Sequence, residues 1–196
     1  MKLKIIIAIA FVIVVGVTIY SLSGNQKESW EKWKNDREEF LRNSSSSPFN
    51  EADVEFEGVN YFNYDPEFEI KAKLSPIRPQ NPVKLTSTTG EDLTYFQSAL
   101  ATFDIKGKNF EVMLLTLTKN APEEYHLLFT DKTNGMSTYG GGRYLEIPYK
   151  DAGNILINFN KAYYPYCAYV HDYSCPIPPR GNYIDLKITA GEKDAQ

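Results

Sequence analysis

The chain of 196 residues has only two histidines and two cysteines, so the side chains that most often hold transition metals or act as a nucleophile–base pair are scarce. Cys167 and Cys175 fit none of the usual structural zinc spacings, and His126 lies far in sequence from both. No metal and no cofactor are therefore expected. Gly140, Gly141 and Gly142 are followed by Arg143 rather than by the Lys-Ser/Thr that holds phosphate and magnesium, which disfavours nucleotide binding. Clustered positive charge is missing too: beyond residue 24, 19 basic residues face 25 acidic ones, so nucleic acid is not an expected partner.

Long apolar runs are also absent, with one exception. After Lys2 and Lys4 the chain is uncharged and nearly all aliphatic from Ile5 to Tyr20, then turns polar. Basic residues ahead of such a run place its start in the cytoplasm and the rest of the chain outside. The run is shorter than the roughly 20 residues that cross a bilayer comfortably and longer than the core of about 7 to 15 residues of most signal peptides. Residues 1–24 thus read as a retained signal anchor or as a signal peptide cut near Ser21–Ser23, and no cysteine follows to make a lipoprotein. Either way the remainder is expected to be extracytoplasmic, at the cell surface or in the periplasm, with the membrane as a partner through residues 5–20 if the leader is uncut.

The rest suits a single domain of about 170 residues with its own core. From Glu28 to Leu41 a stripe containing Trp30, Trp33, Phe40 and Leu41 predicts an amphipathic helix, ended by the serines before Pro48. Docking on its own domain and lodging in a membrane interface are both open to it. Residues 25–48 are thus helix and serine-rich linker, and residues 49–196 are the β-rich domain. Phe68, Ile70, Ala72 and Leu74 alternate with charged residues, the period of a half-buried strand. Leu100–Ile105 and Phe110–Leu117 flank Lys106-Gly107-Lys108 as a hairpin. Further strands are expected at 83–86, 93–96, 125–129, 143–147, 155–159 and 183–189. Short strands separated by turn signals, with no helical period between them, predict a mainly β fold: an antiparallel sandwich or a partly open barrel.

With these elements placed, the C-terminal third resembles the bacterial and archaeal domain of unknown function 1684 family. The resemblance rests on Phe129 to Thr133, Thr138 to Leu145, Phe159-Asn160, Ala162-Tyr163, Pro165 to Tyr169, Tyr173 to Pro179, Asn182 and Ala190 to Glu192, with Phe56 to Gly58, Tyr61-Phe62, Asp65 and Ala72 earlier. It spans residues 28–193 and departs at Tyr164 and Val170, where the family pattern has asparagine. It implies no activity.

Three groups of residues are candidates for function. Gly140, Gly141 and Gly142 before Arg143 would make an anion-binding nest with a guanidinium fork, or a tight crossing between strands. Asp131, Asn160 and Asn182, with Tyr139, Tyr163 and Tyr169, would form a polar floor and ring faces around Arg143, or satisfy local backbone groups. Cys167 and Cys175 are a disulfide candidate, worth about 2.5 kcal/mol if unstrained, with free buried thiols as the alternative. The leading expectation is an envelope-associated, noncatalytic module binding a small polar or anionic ligand or a glycan around Arg143. The rivals are a hydrolase-like enzyme using Asp131 with Arg143, or Cys167 with His171, and a structural component that binds other proteins.

Overall fold

The alternation from Ile70 to Leu74 builds the start of a long strand, and the rest of the sheet grows from it. The computed structural model describes residues 26–119 and 122–195. The leader lies outside them; among the described residues no helix is long and apolar enough to cross a membrane. A helix, α1, occupies residues 26–43. The one-turn α2 follows at Pro48–Glu51, then β1 at Asn60–Tyr61, β2 at Glu69–Thr86, β3 at Asp92–Ile105 and β4 at Lys108–Thr116. The remaining strands are β5 at Glu124–Asp131, β6 at Arg143–Pro148, β7 at Asn154–Asn158, β8 at Tyr183–Ile184 and β9 at Glu192–Lys193.

The main sheet runs β6-β5-β4-β3-β2-β7, antiparallel throughout, with β8 added in parallel to β5. Because β7 follows β6 in sequence and returns beside it, the sheet curls into a nearly closed barrel. Of the two architectures expected, the barrel is the one observed. Its interior is filled by Phe68, Ala72, Ala99, Ala101, Leu114, Leu127, Phe129, Ile157 and Phe159, all fully buried. Each such phenylalanine contributes roughly 1.5–3 kcal/mol relative to an exposed one. Lys106 and Gly107 both have positive φ, 50° and 75°, which gives the β3–β4 hairpin the twist of a two-residue loop.

Two pairs of expected strands are fused. Residues 69–74 and 83–86 belong to the single strand β2, with Phe68 ending the turn before it, and residues 93–96 and 100–105 to β3. Pro76, Pro79 and Pro82 read as breaks, but β7 covers only Glu69–Lys73 and the 175–177 turn meets β2 again only at Thr86, so among the described residues no strand pairs with that edge across the prolines. Prolines on a free edge cost no ladder hydrogen bond, and the strand absorbs them with a register shift between Pro76 and Asn81.

The helix docks on its own domain. Trp30 and Leu41 are buried, and Trp30 Nε1 donates to the carbonyl of Asn160 at 2.8 Å. Arg37 reaches the fully buried Glu192 on β9, Nε to Oε1 2.5 Å. Leu41 continues into a small second core with Phe49 and Phe56. Ser47 turns the chain there: its hydroxyl donates to Leu41 O at 2.5 Å and accepts from Phe49 N at 3.3 Å, capping α2.

Candidate functional site

Arg143 begins β6 and is completely buried. One Nη donates to Asp131 Oδ2 at 2.8 Å and to Ile188 O at 2.8 Å; the other donates to Glu192 O at 3.2 Å and to Ala190 O. Asp131 Oδ1 in turn accepts from the Thr133 backbone N and hydroxyl, both at 2.7 Å, and from Ile188 N at 3.3 Å. The three carbonyls belong to alternate residues of the C-terminal segment, whose backbone acceptors the guanidinium satisfies. That explains why the strand expected at 183–189 stops after Ile184. The expectation of a solvent-facing Arg143 is thus corrected: its charge is neutralised by Asp131 and its Nη donors are taken by Asp131 and the C-terminal tail, while the buried Nε–H has no partner among the described residues.

Of the glycines before it, Gly142 serves the same packing. Gly142 has φ +96°, and a Cβ there would stand 2.6 Å from Phe129 O and 2.7 Å from Pro178 Cγ. Gly140 and Gly141 are exposed parts of the turn between Tyr139 and Arg143. The amides are equally committed. Asn182 Nδ2 donates to Met113 O and Leu128 O, both at 2.9 Å, while its Oδ1 accepts from Met113 N at 2.7 Å. Strands β4 and β5 pair only at Leu115 and His126, and the Asn182 side chain bridges them where they splay. Asn160 holds both backbone groups of Asp65, at 2.9 Å each. Tyr169 donates its hydroxyl to Glu192, and Tyr139 lies against Cys167 with its hydroxyl 3.9 Å from the sulfur. Asp131, Tyr139, Gly142, Arg143, Asn160, Tyr169 and Asn182 therefore knit the fold together, Gly140 and Gly141 stay exposed in the turn, and among the described residues Tyr163 is the one nominated ligand-binding residue that lines an open groove.

That groove, of about 560 Å³, lies between α1, β6 and the C-terminal turns. Trp33, Arg37 and Phe40 form one wall, Tyr144, Glu146 and Tyr163 the floor, and Tyr166, Tyr173 and Cys175 the far side. The rings are held at fixed angles: Tyr144 and Tyr163 meet edge to face at 6.1 Å, Tyr166 and Tyr173 at 5.5 Å. The Arg37 guanidinium sits over the Tyr163 ring at 4.3 Å. Burial opposes its charge, but Glu192 more than offsets this and holds the Arg37 pKa above the ordinary value. Tyr163 donates to Glu146, and burial together with that carboxylate pushes its phenol well up. With Arg37 committed to Glu192, the remaining charges in the groove are the carboxylates of Asp36 and Glu146, the former paired with Lys32 at 2.6 Å. Trp33, Phe40, Tyr166 and Tyr173 were not nominated from sequence. The available signal was the second edge of the α1 stripe, since Trp33 and Phe40 are offset from the docking residues Trp30 and Leu41.

Both cysteines are free thiols and buried, so the disulfide expected from an exported location is not what the structure contains. They are nevertheless neighbours, the Cys167 backbone N donating to Cys175 Sγ at 3.2 Å. A hydrogen bond from Cys175 is the main cause that lowers the Cys167 thiol to about 6, against the opposing effect of burial, while Cys175 is pushed up by the same contact and by burial. His171 is exposed and has no hydrogen bond to either sulfur among the described residues, so no thiol–imidazole pair exists. Asp131 and Arg143, buried together, present nothing to a substrate.

Fold and groove together define a nearly closed antiparallel barrel with an N-terminal helix laid across it and an aromatic cleft at the seam. The chain belongs to the family described as Protein of unknown function (DUF1684), whose model matches residues 54–193. It is similar to an uncharacterised protein of Haloarcula marismortui, solved in solution by NMR, with 27% identity and a TM-score of 0.71, over 89% of this chain and 97% of that one. No curated protein matches it.

Proposed function

We propose that this is a noncatalytic binding domain for a neutral, polyhydroxylated ligand such as a glycan, held at the outer side of the cytoplasmic membrane by residues 5–20 or released from it after cleavage. The groove lined by Trp33, Tyr163, Tyr166 and Tyr173 carries the reading. Rigid ring faces stack on the apolar faces of sugars at low entropic cost, and the Glu146 and Asp36 carboxylates accept hydrogen bonds from hydroxyls. The anionic ligand suggested by Arg143 loses its support, because that cation is spent internally and the groove's own unspent charge is negative. Noncatalytic action fits a groove in which Cys175, the thiol on its wall, is held protonated and no paired acid and base face each other.

Titration with neutral oligosaccharides, followed by tryptophan fluorescence, tests the ligand class. Saturable binding that Tyr166→Ala weakens by about tenfold or more, roughly 1.4 kcal/mol, is the expected result; equal signals from wild type and variant remove the claim. Fractionation of expressing cells tests the location, for which a soluble cytoplasmic full-length chain is the contrary outcome.

A further inference from the structure

Glu124 and His126 are two residues apart on β5 and so point to the same face, and His126 stands directly opposite Glu146 on β6. One potential ligand atom from each of the three lies within 4.8 Å of the other two. The imidazole is steadied edge to face by Tyr95, 6.1 Å between ring centroids at 78°. No lysine or arginine pairs with either carboxylate among the described residues: the ionic partner of Glu124 is His126, Nε2 to Oε1 3.9 Å, and Glu146 accepts the Tyr163 hydroxyl.

We propose that Glu124, His126 and Glu146 form a binding site for a divalent first-row transition metal ion. Two carboxylates gathered around one imidazole repel each other unless a cation lies between them. The Glu124 carboxyl is accordingly pushed up, by burial first and by the Glu146 charge second, with His126 acting the other way. A mixed nitrogen and oxygen ligand set suits Zn²⁺ or its near neighbours better than Ca²⁺ or Mg²⁺, which favour oxygen throughout. Three protein ligands leave coordination positions open, as in zinc sites that take up a further ligand. Glu146 also lines the aromatic groove, and on its other side Glu124 and Glu146 border a cavity of about 440 Å³, so an ion here has access from solvent. The site stands independently of the glycan reading and shares with it Glu146 alone.

The test is calorimetric titration of the chelator-treated protein with Zn²⁺ and Co²⁺. One equivalent should bind, His126→Ala and Glu124→Gln should each weaken binding by at least roughly tenfold, by comparison with the loss seen when only an outer partner of a ligand is removed, and the Co²⁺ form should show no thiolate charge-transfer absorption. Glu124→Gln keeps the size of a side chain that is 45% exposed, so its folding is preserved even if His126→Ala is damaged. Absence of saturable binding, affinity unchanged in Glu124→Gln, or a thiolate band from Cys167 and Cys175 at the same stoichiometry overturns the proposal.

Discussion

Replacing Arg143 with methionine removes a charge that the groove does not use and the fold does. The side chains of Arg143 and Asp131 are both fully buried, so the substitution leaves a carboxylate in the interior without its counter-ion. Breaking such a pair from one side costs about 3–5 kcal/mol. Asp131 keeps three donors, from Thr133 N, Thr133 Oγ1 and Ile188 N, which pulls the figure down. The carbonyls of Ile188, Ala190 and Glu192 lose theirs, which pulls it up, although that segment can partly peel into water. A loss of about 4 kcal/mol follows, against a total of about 5–15 for a typical domain, and a drop in Tm of roughly 8–16 °C. Urea denaturation measures it, and the Asp131→Asn/Arg143→Met double variant should be less destabilised than the sum of the singles by about 1–3 kcal/mol. A single variant within about 1 kcal/mol of wild type, with ligand binding abolished, would refute the scaffold assignment and return Arg143 to the functional site.

Asn182→Ala should destabilise by about 3 kcal/mol, because it strands both backbone groups of Met113 and the carbonyl of Leu128 where β4 and β5 separate; hydrogen exchange should locate the loss at that seam. Two thiols should titrate in the unfolded chain under non-reducing conditions. In the folded chain, alkylation of Cys167 should rise with a midpoint below the ordinary thiol value, because the nucleophile is the thiolate and the hydrogen bond from Cys175 lowers its pKa. Cys175→Ala removes the donor and should move that midpoint upward; a wild-type midpoint near the ordinary value of about 8.5 contradicts the assignment.

Strand existence was legible wherever one face is wet and the other buried, as at Ile70–Leu74, and the β3–β4 hairpin was legible from the two apolar runs on either side of Lys106-Gly107-Lys108. The length of β2 was not, because Pro76, Pro79 and Pro82 break a strand or decorate a free edge according to which neighbour is present, and that is settled by where β7 ends. Polar residues were recognised as special without their role being readable. The partners of Asp131, Arg143 and Asn182 lie up to 69 residues away, in backbone that carries no sequence signal. The groove was hidden for a related reason: the angle at which Trp33 and Phe40 face it depends on Arg37 finding Glu192 across 155 residues. The Glu124, His126 and Glu146 set needs the β5–β6 register, which no spacing rule supplies.

Amide and indole NMR shifts of the full chain, recorded while a neutral oligosaccharide is added, test the central claim most directly. The account predicts saturable shifts concentrated at Trp33, Tyr163, Tyr166 and Tyr173, with Asp131 and Arg143 undisturbed. Shifts centred on the glycine turn at residues 140–143, or no shifts at any ligand concentration reached, would contradict it.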